Sequence, residues 1–128
     1  MRVLLDTHSL IWMLLDDSRV SATAKRVLRS DENELYVSLV SLWEIAIKMK
    51  IGKLSGLGSS VEYLRDEIDA FGIDLLPIRY EHILQLERLP LFHGDPFDRL
   101  LIAQAAVESL TVLTRDARFK EYPIKLIW

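Results

Sequence analysis

The chain has 128 residues, enough for one domain with its own core, and half of them are hydrophobic against 27% charged, which excludes a largely disordered chain. It has no cysteine, which excludes a disulfide framework and a thiolate metal site and permits a reducing compartment, so a cytoplasmic protein is expected. The formal net charge of -3 excludes recruitment of a polyanion by bulk charge, so nucleic-acid binding would need a local basic patch or a bound cation.

The start, MRVLLDTHSLIWMLLDD, carries Asp6 and His8 inside an apolar run, so neither a signal peptide nor a membrane span is expected. Within it RVLLD (Arg2 to Asp6) reads as a strand buried on both faces and ending in an acid. VSATAKRVLRS opens on a cap-like Ser21 and reads as an amphipathic helix, and ELYVS (Glu34 to Ser38) as a second strand. VSLWEIAIKMKIGKL predicts a helix that stops at Gly52 and is buried nearly all round. SSVEYLRDEIDAFG predicts a serine-capped helix closed by glycine, followed by the strand IDLLPI, whose end Pro77 marks. YEHILQLERL and then DPFDRLLIAQAAVE read as helices, TVLT (Thr111 to Thr114) as a strand, the neighbourhood of ARFKEY as a short helix, and IKLIW as a closing strand. Strands alternate with helices with no repeat or linker, which predicts a single α/β domain over residues 1–128 with a central parallel sheet and helices on both faces.

In such sheets ligands bind outside the carboxyl ends of the strands, where strand order reverses. Asp6 ends the first strand and Asp116 follows TVLT, so both belong at that edge, although each is equally placed to cap the next helix. Glu44 is more telling. Val40, Ile47 and Ile51 fall at i-4, i+3 and i+7 from it, which sets a carboxylate on an apolar stripe where it needs a partner: Lys48 one turn on, or a cation shared with other acids. Pro96 suits the first helical position, which makes Asp95 the N-cap and Asp98 the third helical residue. Asp98 is short for a capping box and can point to the sheet edge, so Asp95 is assigned chiefly as cap and Asp98 as ligand.

The segments LLDTHSLIW, SLWEIAIK, DPFDRLLIAQA and VLTRDARF resemble, in order and across essentially the whole chain, the four acidic motifs of PIN-domain ribonucleases, above all the VapC-type toxins of toxin–antitoxin pairs. The resemblance implies a PIN-like nuclease fold and a metal-dependent endoribonuclease. It implies that Asp6, Glu44, Asp98 and Asp116 are the catalytic, metal-holding acids, and that Thr114 is the hydroxyl residue before the last of them. The cofactor it implies is Mg2+ or Mn2+, and its partners an RNA substrate, a cognate antitoxin and a second copy of the chain, with no membrane. Carboxylates at such a site suit hard cations, which neutralise charge developing on phosphate oxygens and activate water.

Around these acids, Asp95, Thr114 and Thr7 are accessory candidates, the threonines being placed equally to orient a ligand or to cap a helix. His8 reads as a packed neighbour more readily than as a general base. Arg99 and Arg115 are candidate phosphate contacts, and Lys48, Lys50 and Lys53 form either a basic rim or a solvated face. Trp12, Trp43 and the tail IKLIW offer apolar surface to a core or a partner. An aspartyl-phosphate phosphatase is disfavoured because its second acid would fall on His8, and a phosphoacceptor receiver because the acidic pair before its first helix is missing. The alternative that stands is a noncatalytic PIN-like module that binds RNA or protein.

Overall fold

A computed structural model describes residues 1–58 and 60–128; Ser59, which the sequence reading placed at a helix start, lies outside the described residues. Among those residues the order is β1 (Arg2–Leu5), α1 (Thr7–Leu14), α2 (Ala22–Arg29), β2 (Glu34–Ser38), α3 (Leu39–Lys50), α4 (Val61–Ala70), β3 (Asp74–Leu76), α5 (Tyr80–Arg88), α6 (Pro96–Glu108), β4 (Thr111–Leu113), a 3-10 turn (Ala117–Glu121) and β5 (Leu126–Ile127). The strands form one sheet in the order β3-β2-β1-β4-β5, and every pair is parallel.

A strand alternates its side chains, so β1 feeds two cores. Val3 and Leu5 face one, with Leu10 of α1, Val27 of α2, and Leu64 and Ile68 of α4, whereas Leu4 faces the other, with Leu101 and Ile102 of α6 and Phe119 of the 3-10 turn. This two-sided burial accounts for the uninterrupted apolar run from Val3 to Leu5 after the exposed Arg2, since a parallel strand covered by helices has no solvent face there. Helix caps follow the sequence: Ser21, Ser38 and Ser60 each accept a backbone N–H in the first turn of α2, α3 and α4. The outer strands β3 and β5 are shorter than IDLLPI and IKLIW suggested, three and two residues long, as befits sheet edges.

One expectation fails. Helix α3 is not buried all round: Leu39, Trp43, Ile47 and the residue after its end, Ile51, are exposed, Trp43 by 57%. The helix bridges the two cores, Val40 entering one and Leu42 and Ile45 the other, so its remaining side faces outward. Trp43 packs there edge-on against Phe97 of α6, with ring centroids 5.0 Å apart. Trp12 and Trp128 instead pack against the first core and against each other. Among the described residues no helix is long and apolar enough to cross a membrane.

Candidate metal centre

Sheet order reverses between β1 and β4, because β2 and β3 build outward on one side of β1 and β4 and β5 on the other. Asp6 leaves β1 at that point. Its Oδ1 accepts the Ser9 N–H (2.7 Å), capping α1, while its Oδ2 accepts a hydrogen bond from the Thr114 hydroxyl just past β4. Thr114 Oγ1 in turn accepts the Asp116 N–H (3.0 Å), so one hydroxyl fixes the first acid and the backbone of the last. Asp6 thus caps α1 and stands at the reversal point at once. Burial raises its pKa above the usual carboxylate range, although the bonds from Ser9 and Thr114 oppose that shift.

Helix α6 brings the acids of DPFD. Asp95 Oδ1 accepts the Phe97 and Asp98 N–H groups (2.8 and 3.0 Å), with Pro96 at the first helical position, as an N-cap should. Asp98 does not reach back to complete a capping box; its Oδ2 lies 2.9 Å from His93 Nε2. Burial first, and then the charges of Asp95, Asp6, Glu44 and Asp116, push the Asp98 pKa up to about 7. Four other carboxylates therefore act on Asp98 together. His93, Asp98 and Asp116 each offer one ligand-type atom within 4.8 Å of the others.

The remaining two acids carry basic partners. Arg118 lays its guanidinium across both Asp116 oxygens (2.7 to 3.1 Å) and holds that carboxyl below the usual range. Glu44 is 5% exposed, and its Oε2 takes Lys48 Nζ at 2.7 Å, so the local partner foreseen from the i+4 spacing is present. It satisfies only one oxygen. Glu44 Oε1 is buried with no hydrogen-bond partner among the described residues. The stripe that pointed to Glu44 was partly the wrong one: Val40 is buried, but Ile47 and Ile51 are exposed, and the neighbours buried with Glu44 on α3 are Ser41, Leu42 and Ile45.

The accessory candidates separate. Thr114 sits among the acids, whereas the Thr7 hydroxyl donates to Ser41 Oγ (2.9 Å) and ties α1 to α3. Arg99, expected beside a phosphate, turns away: its Nη1 donates to Pro90 O (2.8 Å) and Tyr122 Oη (3.1 Å) and its Nη2 to Leu89 O (3.3 Å), so it fastens the loop before α6. Arg115 is exposed, its guanidinium 6.0 Å from the Trp12 ring centre, and lines a cleft of about 390 Å³ with Asp6, His8, Trp12, Arg19 and Asp116. Lys50 and Lys53 are exposed on and just after the end of α3. Sequence reasoning missed His93 and Tyr122. The one available signal was a histidine two residues before an N-cap aspartate, a spacing at which the imidazole can accept the cap's own N–H.

A buried carboxylate oxygen with no donor, beside a carboxyl whose ionisation four other acids oppose, is an arrangement that a divalent cation would relieve. The donor set of carboxylate oxygens suits Mg2+ or Mn2+. The residues present therefore fit such an ion.

The family model of the PIN domain matches residues 3–125. Ribonuclease VapC22 of Mycobacterium tuberculosis is 28% identical over 127 residues, spanning 94% of this chain and 91% of that protein. Among solved structures, VapBC2 from Rickettsia felis bound to a promoter DNA fragment matches with a TM-score of 0.73 at 16% identity, over 99% of this chain and 98% of that one. VapBC-5 from Mycobacterium tuberculosis, of the VapBC family of toxin-antitoxin systems, matches with a TM-score of 0.64 at 16% identity, over 98% and 97%.

Proposed function

We propose that this chain, which belongs to the PIN-domain family, is a metal-dependent endoribonuclease and the toxin of a toxin–antitoxin pair, hydrolysing RNA phosphodiester bonds at Asp6, Glu44, Asp98 and Asp116. The reading takes residues 1–128 as one nuclease domain acting in the cytoplasm, with an antitoxin and a second copy of the chain as partners. Its support from relatives is the ribonuclease named among them and the toxin–antitoxin system to which VapBC-5 belongs. The observation that carries it is the unpartnered buried Oε1 of Glu44 on an acid cluster at the sheet's reversal point.

Bound Mg2+ or Mn2+ supplies Lewis acidity toward the phosphate oxygens and an activated water. The chain's own residues do the rest. Asp6, bonded through both oxygens by groups on either side of the central strands, is held in one orientation for an ion. Glu44 presents Oε1 while Lys48 neutralises the charge on Oε2. Asp98 and Asp116 close the cluster from α6 and from the turn after β4, and Asp95 serves them as the cap of α6. Magnesium keeps several waters and takes one or two carboxylates directly, so part of this set acts through water. Arg115 and His8, exposed beside Asp6 and Asp116, are the groups placed to meet phosphate or base.

The test is cleavage of a purified structured RNA. Wild type should cut with Mg2+ or Mn2+ and not with EDTA. Asp6→Asn, which keeps the cap oxygen and the shape, should lower the rate by roughly 10²–10³-fold, the scale of losing one preorganised electrostatic stabiliser. Cutting that survives both EDTA and Asp6→Asn would sink the proposal. Metal binding without cutting on any RNA would favour the noncatalytic module.

A further inference from the structure

His93 is the group at the acid cluster to which the four-carboxylate chemistry gives no task. It is 2% exposed, lies outside every helix and strand, and has a bond at each ring nitrogen. The Asp95 N–H donates to Nδ1 (3.2 Å), and an imidazole nitrogen that accepts a hydrogen bond carries no proton. The proton of the neutral ring is then on Nε2, which faces Asp98 Oδ2 at 2.9 Å and donates to it. A protonated Nε2 has no lone pair for a cation. Although His93 stands close enough to Asp98 and Asp116 to pass for the third ligand of a metal site, its hydrogen bonds exclude that role.

We propose that His93 is a positioning residue: a tautomer-locked donor that holds Asp98 Oδ2 and thereby presents Oδ1 to the divalent cation. The inference rests on the metal-site reading above. Its geometry is over-determined by the loop that carries it. The His93 N–H donates to Tyr122 Oη (3.0 Å), and that hydroxyl donates to Pro90 O (2.9 Å) and accepts from Arg99 (3.1 Å). The ring stands edge-on to buried Phe119, centroids 6.2 Å apart. One cap, Asp95, thus does double duty: its carboxylate starts α6 and its N–H sets the tautomer of the histidine that orients the next acid. Outer partners of metal ligands commonly act this way, fixing orientation and raising ligand basicity, at a cost of about 10–100-fold in metal affinity or activity when removed.

Two near-isosteres separate the ring's two bonds. In His93→Asn the side-chain carbonyl can still accept the Asp95 N–H, but the donor to Asp98 is gone. In His93→Gln the terminal amide nitrogen falls near the place of Nε2 and restores that donor. Mn2+ affinity, read by electron paramagnetic resonance titration on the full chain, should fall about 10–100-fold in His93→Asn and recover most of that loss in His93→Gln. Thermal melts with EDTA should not follow the same order. Pulsed measurements on wild type with Mn2+ should show no nitrogen coupling from a directly bound imidazole. Unchanged affinity in folded His93→Asn, equal losses in both variants, or a directly coordinated nitrogen would each overturn the assignment; the last needs no stable asparagine variant. Were wild type to bind Mn2+ no better than Asp6→Asn, the metal-site reading would fall, and this inference with it.

Discussion

Asp6 and Asp98 are both buried acids of one cluster, and the fold treats them in opposite ways. Asp6 follows the first strand, and each of its oxygens has a donor supplied by neighbouring backbone or by β4's end, so hydrogen bonds oppose the rise that burial imposes. Asp98 enters from a helix N-terminus with one side-chain partner, His93, and faces four carboxylates. The comparison teaches that burial raises both acids, and that hydrogen bonds oppose the rise at Asp6 while neighbouring charges add to it at Asp98. The sheet positions Asp6, and α6 brings Asp98 in among the other acids.

The largest effect that sharpens this contrast is on stability against pH without metal. The Asp98 pKa rises from 3.8 to about 7 on folding, so its contribution is fully present below about pH 4 and is lost as pH rises through 7, where the folded state must hold the ionised form. Asp98→Asn should therefore raise the melting temperature above wild type at pH 8 in EDTA, and the gap should close by pH 4. Adding Mg2+ at pH 8 should stabilise wild type far more than the variant. A gap independent of pH would break the comparison.

A smaller effect separates Asp95 from its neighbour. Loss of the N-cap should cost about 1 kcal/mol, roughly 4 °C in melting temperature for a domain of this size, so Asp95→Ala should melt earlier while keeping appreciable cleavage at matched folded fraction. Cleavage falling as far as in Asp98→Asn would make Asp95 a ligand rather than only the cap. The smallest effect lies at Asp116, whose fork to Arg118 is exposed to solvent. Arg118→Gln should leave folding intact and tighten Mg2+ binding by a few-fold at most, measured by calorimetry; weaker binding would mean that the guanidinium assists the site rather than competing for it.

Most of the architecture was legible because its cause is local. Alternating apolar runs and serine caps mark the strands and helices, and the run Val3 to Leu5, apolar at every position, reads as covered on both faces. The acids after β1 and β4 were legible because sheet topology dictates where strand ends meet. Glu44 was found through its burial, yet by a stripe that the fold turns outward: periodicity shows which residues share a helix side, not which sides find a partner. Arg99 and His93 were illegible for one shared reason. An arginine beside a candidate ligand reads as a phosphate contact and a histidine before glycine gives no pattern to read, and only the tertiary approach of Tyr122 and the Pro90 carbonyl shows that both are structural anchors.

The hydrogen bond from Thr114 to Asp6 joins residues 108 positions apart in the chain, across the two central strands of the sheet. Strand β1 precedes β4 in the chain, so its β4 side stays bare until residues 111–113 have been made. For a protein proposed to attack RNA, this has a bearing on the timing of its own synthesis. Chains cut short before β4 lack the Thr114 partner of Asp6 and one wall of the proposed cutting centre, so nonsense fragments ending there should be harmless to the cell that makes them.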